Sequence, residues 1–97
     1  MSNLNIVEKT ITFPYDLLGR KAHQLVYKIG NLKSNIYFST IDNSPINAKS
    51  LLGLLSIHIQ KGTLVRIACH CENKDTAESD FKFVLKSINE LAVSDNE

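Results

Sequence analysis

What this sequence lacks most clearly is an excess of charge. Its 97 residues hold 11 basic and 10 acidic side chains, a net charge of +1. Attraction to nucleic acid needs a basic surplus or a concentrated basic stripe. The short basic pairs Arg20-Lys21 and Lys82-Lys86 have acids interspersed around them, so no direct nucleic-acid partner is expected. Cysteine is equally scarce. Two thiols do not make a disulfide framework, which points to the cytoplasm. No apolar run approaches the roughly 18–20 residues that span a bilayer. Met1-Ser2-Asn3-Leu4-Asn5 has no basic segment leading into an apolar core, so no signal peptide is expected. A glycine-rich phosphate loop and a dinucleotide fingerprint are both missing. The expectation is a single domain over residues 1–97, with one modest core and little room for an enclosed active site. No cofactor and no enzymatic activity are expected of it.

What is present is an ordinary globular balance, 43% apolar and 22% charged. Residues 5–13 read as a first strand, with Ile11 and Phe13 on one face and Thr10 and Thr12 on the other. Pro14 ends it. A helix over about 19–31 places Ala22, Leu25, Val26 and Ile29 on an apolar face and Arg20, Lys21, Gln24 and Lys28 toward water. Gly30-Asn31 suits a left-handed stop. Residues 35–40 and 46–49 read as a hairpin around the turn Asp42-Asn43-Ser44-Pro45. A short helix runs from Ser50 to about Ile57, with serine as its N-cap. Residues 63–71 form a fourth strand: Val65, Ile67, Cys69 and Cys71 face one way, and Arg66, Ala68 and His70 the other. The last helix carries Ala77, Phe81, Val84, Leu85, Ile88 and Leu91 at helical spacing, with Asp75 as expected N-cap and Glu78 completing a capping-box-like pair. The polar tail, residues 94–97, is expected to fray. The order βαββαβα predicts an α+β domain, its helices packed on one face of a four-stranded, mostly antiparallel sheet.

The candidate chemistry thins quickly. Cys69-His70-Cys71 has the residue types of a metal site, but alternate strand residues point to opposite faces. With no second cysteine pair to complete a tetrahedral zinc site, buried structural thiols are the better reading. His23, His58 and His70 are each chemically competent, yet no nucleophile, base and orienting acid assemble from local sequence. Ser50 has a sharper case. A phosphate there would meet free N–H groups and add nearly two negative charges beside Lys49 and the leucines of the short helix. Four leucines on so short a helix cannot all be buried equally, and an exposed apolar patch marks a partner site.

The segment Ile46-Asn47-Ala48-Lys49-Ser50-Leu51-Leu52-Gly53-Leu54-Leu55-Ser56 closely resembles the regulatory-serine region of HPr, the phosphocarrier of the bacterial sugar phosphotransferase system. Ile59-Gln60-Lys61-Gly62 and the strand that follows continue the resemblance, which spans about residues 8–91. It implies the HPr-type open-faced β-sandwich. HPr proteins carry a phosphoryl group on the histidine of a Gly-x-His-Ala-Arg-Pro segment. The matching stretch here is Asp16-Leu17-Leu18-Gly19-Arg20-Lys21-Ala22, with Leu18 in the histidine's place, Arg20 matching the arginine and Lys21 replacing the proline. Leucine has no nitrogen to accept a phosphoryl group. The resemblance therefore implies a regulatory protein similar to the histidine-lacking paralogue of catabolite repression. Ser50 would be the target of an HPr-type serine kinase, and Arg20, Lys49, Leu51, Leu54 and Leu55 would dock a LacI-type transcription regulator or a metabolic enzyme. The alternatives are an HPr-fold module that self-associates through its leucine face as a homodimer, and a residual phosphocarrier using His23 or another histidine.

Overall fold

The computed structural model describes residues 3–93; the tail expected to fray lies outside them. Its elements are β1 (Asn5–Thr12), α1 (Gly19–Ile29), β2 (Asn35–Thr40), β3 (Asn43–Asn47), α2 (Leu51–Ser56), β4 (Leu64–Cys71) and α3 (Lys74–Val93). The strands form one sheet in the order β1-β4-β2-β3, with every neighbouring pair antiparallel. The α+β architecture expected from the sequence is the one observed.

Alternation in the strands builds the core. Val65, Ile67 and Cys69 of β4 and Ile36 and Phe38 of β2 are buried on the inner face, where Ile36 lies opposite Cys69 and Phe38 opposite Ile67. Ala22, Leu25 and Ile29 of α1 and Phe81, Val84, Ile88 and Leu91 of α3 close over them. Burial of such side chains is the main stabilising term, about 25 cal/mol for each Å² removed from water. The loop from α1 to β2 is fastened by a buried polar link. Asp80 of α3 accepts from the Ser34 backbone N–H (2.9 Å) and from the Ser34 hydroxyl (2.7 Å). A buried carboxylate is tolerable because it is paired in this way.

Several boundaries differ from expectation. The hairpin turn is tighter than Asp42-Asn43-Ser44-Pro45: Thr40 already pairs with Asn43, and Asn43 Nδ2 donates to Thr40 Oγ1 at 3.0 Å. Pro45 therefore lies within β3, which tolerates it because β3 is an edge strand. Gly30 ends α1 in a right-handed conformation (φ −63, ψ −24), not a left-handed one. It is needed for closeness, since a Cβ there would come within 2.9 Å of the Val26 carbonyl oxygen. The N-cap of α3 is Asn73, not Asp75. Asn73 Oδ1 accepts from the Thr76 N–H (2.9 Å) and its carbonyl from the Ala77 N–H (3.0 Å). Asp75 lies in the first turn, where its charge suits the helix dipole.

Candidate functional site

The two helix starts singled out by the sequence are built differently. Leu18 is the N-cap of α1, with extended backbone (φ −127, ψ 159) and no side-chain bond to the helix. Its carbonyl accepts from the N–H groups of Lys21 (3.1 Å) and Ala22 (3.4 Å). Gly19 follows at φ +45, a left-handed conformation that favours glycine. Leu18 and Arg20 are both exposed, so Leu18 presents hydrocarbon to solvent.

Lys21 does not face water as its place on the helical wheel suggests. It is half-buried, with Nζ 2.7 Å from the Leu91 carbonyl and 4.8 Å from the centre of the Tyr15 ring. The Tyr15 hydroxyl donates to the Ile88 carbonyl at 2.9 Å, and burial pushes this phenol well above its ordinary range. Together these two residues hold the last turn of α3 against the start of α1. Lys21 also supplies the cation that the last turn of α3 itself lacks.

The loop preceding α1 is held by the segment that follows α2. The Leu17 N–H donates to the Ile59 carbonyl (2.9 Å), the Lys61 N–H to Asp16 Oδ1 (2.8 Å) and the Phe13 N–H to the Thr63 carbonyl (2.8 Å). The two segments thus run antiparallel as an extension of the β1–β4 pairing. His58, the residue before Ile59, comes to the neighbourhood of Leu18. It is exposed and has a φ of 50, the one non-glycine residue with positive φ among the described residues. Nothing in the local sequence signals this juxtaposition, which arises from pairing between segments far apart in the chain. His23 lies exposed on α1. His70 lies on the outer face of β4, 4.8 Å from the Tyr37 ring.

α2 begins as expected. Ser50 is its N-cap, and Oγ accepts from the Gly53 N–H at 3.1 Å. The remainder of the expected docking set divides. Leu54 is 0% exposed and belongs to the core, so it is not part of a docking face. Leu51 and Leu55 are half-buried and pack against that core. Leu52, which the docking set omitted, is 81% exposed. The cause is the wheel: at about 100° per residue, 51, 54 and 55 cluster on one side and 52 points roughly opposite 54. Lys49 is also redirected. Its Nζ bonds to the Leu32 carbonyl, so its ammonium tethers the loop after α1.

Cys69 is buried and Cys71 half-buried, on the face opposite His70. Burial, and then the Asp80 carboxylate, push the Cys69 thiol up to about 12. Such a thiol is inert as a nucleophile. Among the described residues no three His, Cys, Asp or Glu side chains converge as a metal site, and no helix is long and apolar enough to cross a membrane.

A four-stranded antiparallel sheet under three helices, with a serine-capped short helix beside the start of α1, defines an HPr-like fold. Solved structures agree. HPr-C-His from Thermoanaerobacter tengcongensis superposes with a TM-score of 0.73 at 27% identity, over 86% of this chain and 91% of that one. A phosphocarrier protein HPr from Bacillus anthracis str. Ames gives 0.73 at 25% identity, over 84% and 95%. The sequence matches the family description "PTS HPr component phosphorylation site" over residues 7–90. It is 31% identical over 70 residues to the phosphocarrier protein HPr of Xylella fastidiosa (strain Temecula1 / ATCC 700964), covering 72% of this chain and 78% of that protein. The chain belongs to the HPr family of the phosphotransferase system.

Proposed function

We propose that this chain is a regulatory member of the HPr family without phosphocarrier activity at the family position. An HPr-type serine kinase phosphorylates it on Ser50, and the phosphorylated form binds a transcription regulator or a metabolic enzyme. The observation that carries this reading is exposed Leu18 at the N-cap of α1, the residue that the resemblance sets against the phosphoacceptor histidine. The intact segment Lys49-Ser50-Leu51-Leu52-Gly53 supports the regulatory half. Exposed Leu52 supplies the apolar anchor of the docking face, with Leu51 and Leu55 at its edge. Arg20 is exposed and free of ion pairs among the described residues, as a guanidinium needs to be to meet phosphate.

The test is intact mass after incubation with HPr kinase and ATP. The expected result is one acid-stable phosphate on the wild type and none on Ser50→Ala. An unmodified wild type, under conditions that modify an ordinary HPr, overturns the proposal. One observation favours a second reading, a carrier using a different histidine: His58 is brought to the neighbourhood of Leu18. On that reading, phosphoenolpyruvate and the first enzyme of the phosphotransferase system add an acid-labile phosphate. It is lost in His58→Ala and kept in His23→Ala.

A further inference from the structure

The helices cover one face of the sheet and leave the other open. The register places its residues in rows: Ile6, His70 and Asn35; then Glu8, Ala68, Tyr37 and Asn47; then Thr10, Arg66 and Ser39; then Thr12 and Leu64. The face is not a plain solvated surface. Ala68 is almost fully buried, and the Tyr37 ring beside it lies 4.8 Å from that of His70, tilted by 58°. A groove of about 200 Å³ runs over Ala68 between Glu8, Tyr37, Pro45, Arg66 and His70. Sharing Ser39, Pro45 and Arg66, it continues into one of about 430 Å³ that reaches Thr10, Ile41 and Leu64. Large apolar side chains edge the face: Ile6 is 53% exposed, Leu64 62% and Ile41 98%.

Glu8 and Arg66 are both exposed, and both line the groove. They are diagonal neighbours, since Glu8 lies opposite Ala68 and Arg66 opposite Thr10. Neither makes an ion pair among the described residues. One unpaired acid and one unpaired base on a single apolar-edged face make that face complementary to itself. We propose that the open face of the sheet docks a second copy of this chain as a two-fold dimer, with Glu8 of each copy meeting the partner's Arg66.

An isologous contact demands this reciprocity. On a lattice of about 4.8 Å between strands and about 6.8 Å per two residues, a two-fold axis in the interface that exchanges these positions passes close to Tyr37. The rings of the two copies then meet at the centre, with the charges to either side. The strands of the two sheets cross steeply, toward the orthogonal class of sheet packing. The face is about 19 Å across and up to about 27 Å long, roughly 500 Å² per copy in projection, from those spacings. A stable interface buries about 800 Å² per partner, so this dimer is weak and forms only at high concentration. It leaves Ser50, Leu52 and Arg20 on the helical side free, and is independent of the function proposed above.

Sedimentation equilibrium of the full chain up to millimolar concentration tests it. The wild type is expected to dimerise. Glu8→Arg alone and Arg66→Glu alone are each expected to weaken the dimer by about tenfold or more, because like charges then face each other. An equimolar mixture of the two variants is expected to associate again, since positions 8 and 66 then carry opposite charges across both contacts of the mixed dimer. Far-ultraviolet circular dichroism establishes that both variants are folded. A chain that stays monomeric throughout overturns the proposal. So does a mixture no better than its components, or a dimer indifferent to both charges and abolished by Leu52→Glu, which would place the contact on α2.

Discussion

Truncating Leu54 and Leu52 to alanine, one at a time, separates the two tasks of α2. Leu54 is fully buried and packs into the main core, while Leu52 is 81% exposed. Leucine-to-alanine changes at buried sites cost about 2–5 kcal/mol, depending on how far the surroundings collapse into the cavity. α2 is only six residues long, so it can shift inward. The expected cost for Leu54→Ala is therefore about 2–3.5 kcal/mol, in the lower half of that range. For a domain of this size each kcal/mol moves the melting temperature by about 4–8 °C, so the fall is at least about 8 °C. Leu52→Ala removes no packed surface and should stay within about 0.5 kcal/mol of wild type.

The assay is paired urea and thermal denaturation, with an unchanged m-value as the sign that the midpoint shift is a stability change. The second half of the measurement is binding of the Ser50-phosphorylated chain to the regulator proposed above. There the order reverses, because Leu52→Ala removes the exposed anchor and Leu54→Ala leaves it in place. Equal destabilisation by the two substitutions would refute the division of α2 into a core side and a docking side. So would a stable Leu54→Ala protein that has lost binding.

Asp80→Ala removes the acceptor of two buried bonds from Ser34. It should cost about 2–3 kcal/mol in urea denaturation, because a buried N–H is left unpaired. Asp80→Asn, which keeps an accepting oxygen, should cost less. Cys69 gives a pH prediction. Its folded-state pKa is raised from 9.0 to about 12, so the folded chain holds the proton more tightly than the unfolded one. Stability associated with this group is present below pH 9 and declines as pH rises from about 9 through about 12. Chemical denaturation at about pH 8 and about pH 10.5, on either side of the unfolded-state value, checks the slope. A Cys69→Ala variant should show a shallower decline, and a steeper one would contradict the assignment.

The parts of the fold carried by short-range periodicity were legible in the residues themselves. Alternation in β4 and the apolar stripe of α3 place those elements within a residue or two, and the serine cap of α2 is where a serine before four leucines suggests. Other features depend on competition or on distance. Asn73 and Asp75 are both good caps, and local sequence has no means of choosing between them. Helical spacing puts Leu52 and Leu54 on opposite sides of α2, but only the packing of α2 against the core decides which side is buried. Lys21 reads as a solvent-facing residue until α3 brings its last turn across α1 and offers the Leu91 carbonyl. The approach of His58 to Leu18 rests on backbone pairing between segments far apart in the chain, and leaves no local trace.

The two helix starts depend on their cap side chains to different degrees. α1 begins without help from the side chain of residue 18: its N-cap makes no side-chain bond, and the loop before it is held by the backbone bond from Leu17 to Ile59. Position 18 can therefore change its side chain with little structural consequence, as the proposed exchange of histidine for leucine requires. Ser50 differs, because its hydroxyl oxygen caps α2 through the Gly53 N–H. An alanine there should cost about 1 kcal/mol even in a chain that no kinase touches. Serine at position 50 thus has a structural task apart from any regulatory one. Asparagine caps about as well as serine but cannot be phosphorylated. A Ser50→Asn chain that keeps wild-type stability yet gains no phosphate and binds no regulator would separate the signal from the cap. One that still binds the regulator after kinase treatment would show that the serine serves only the helix.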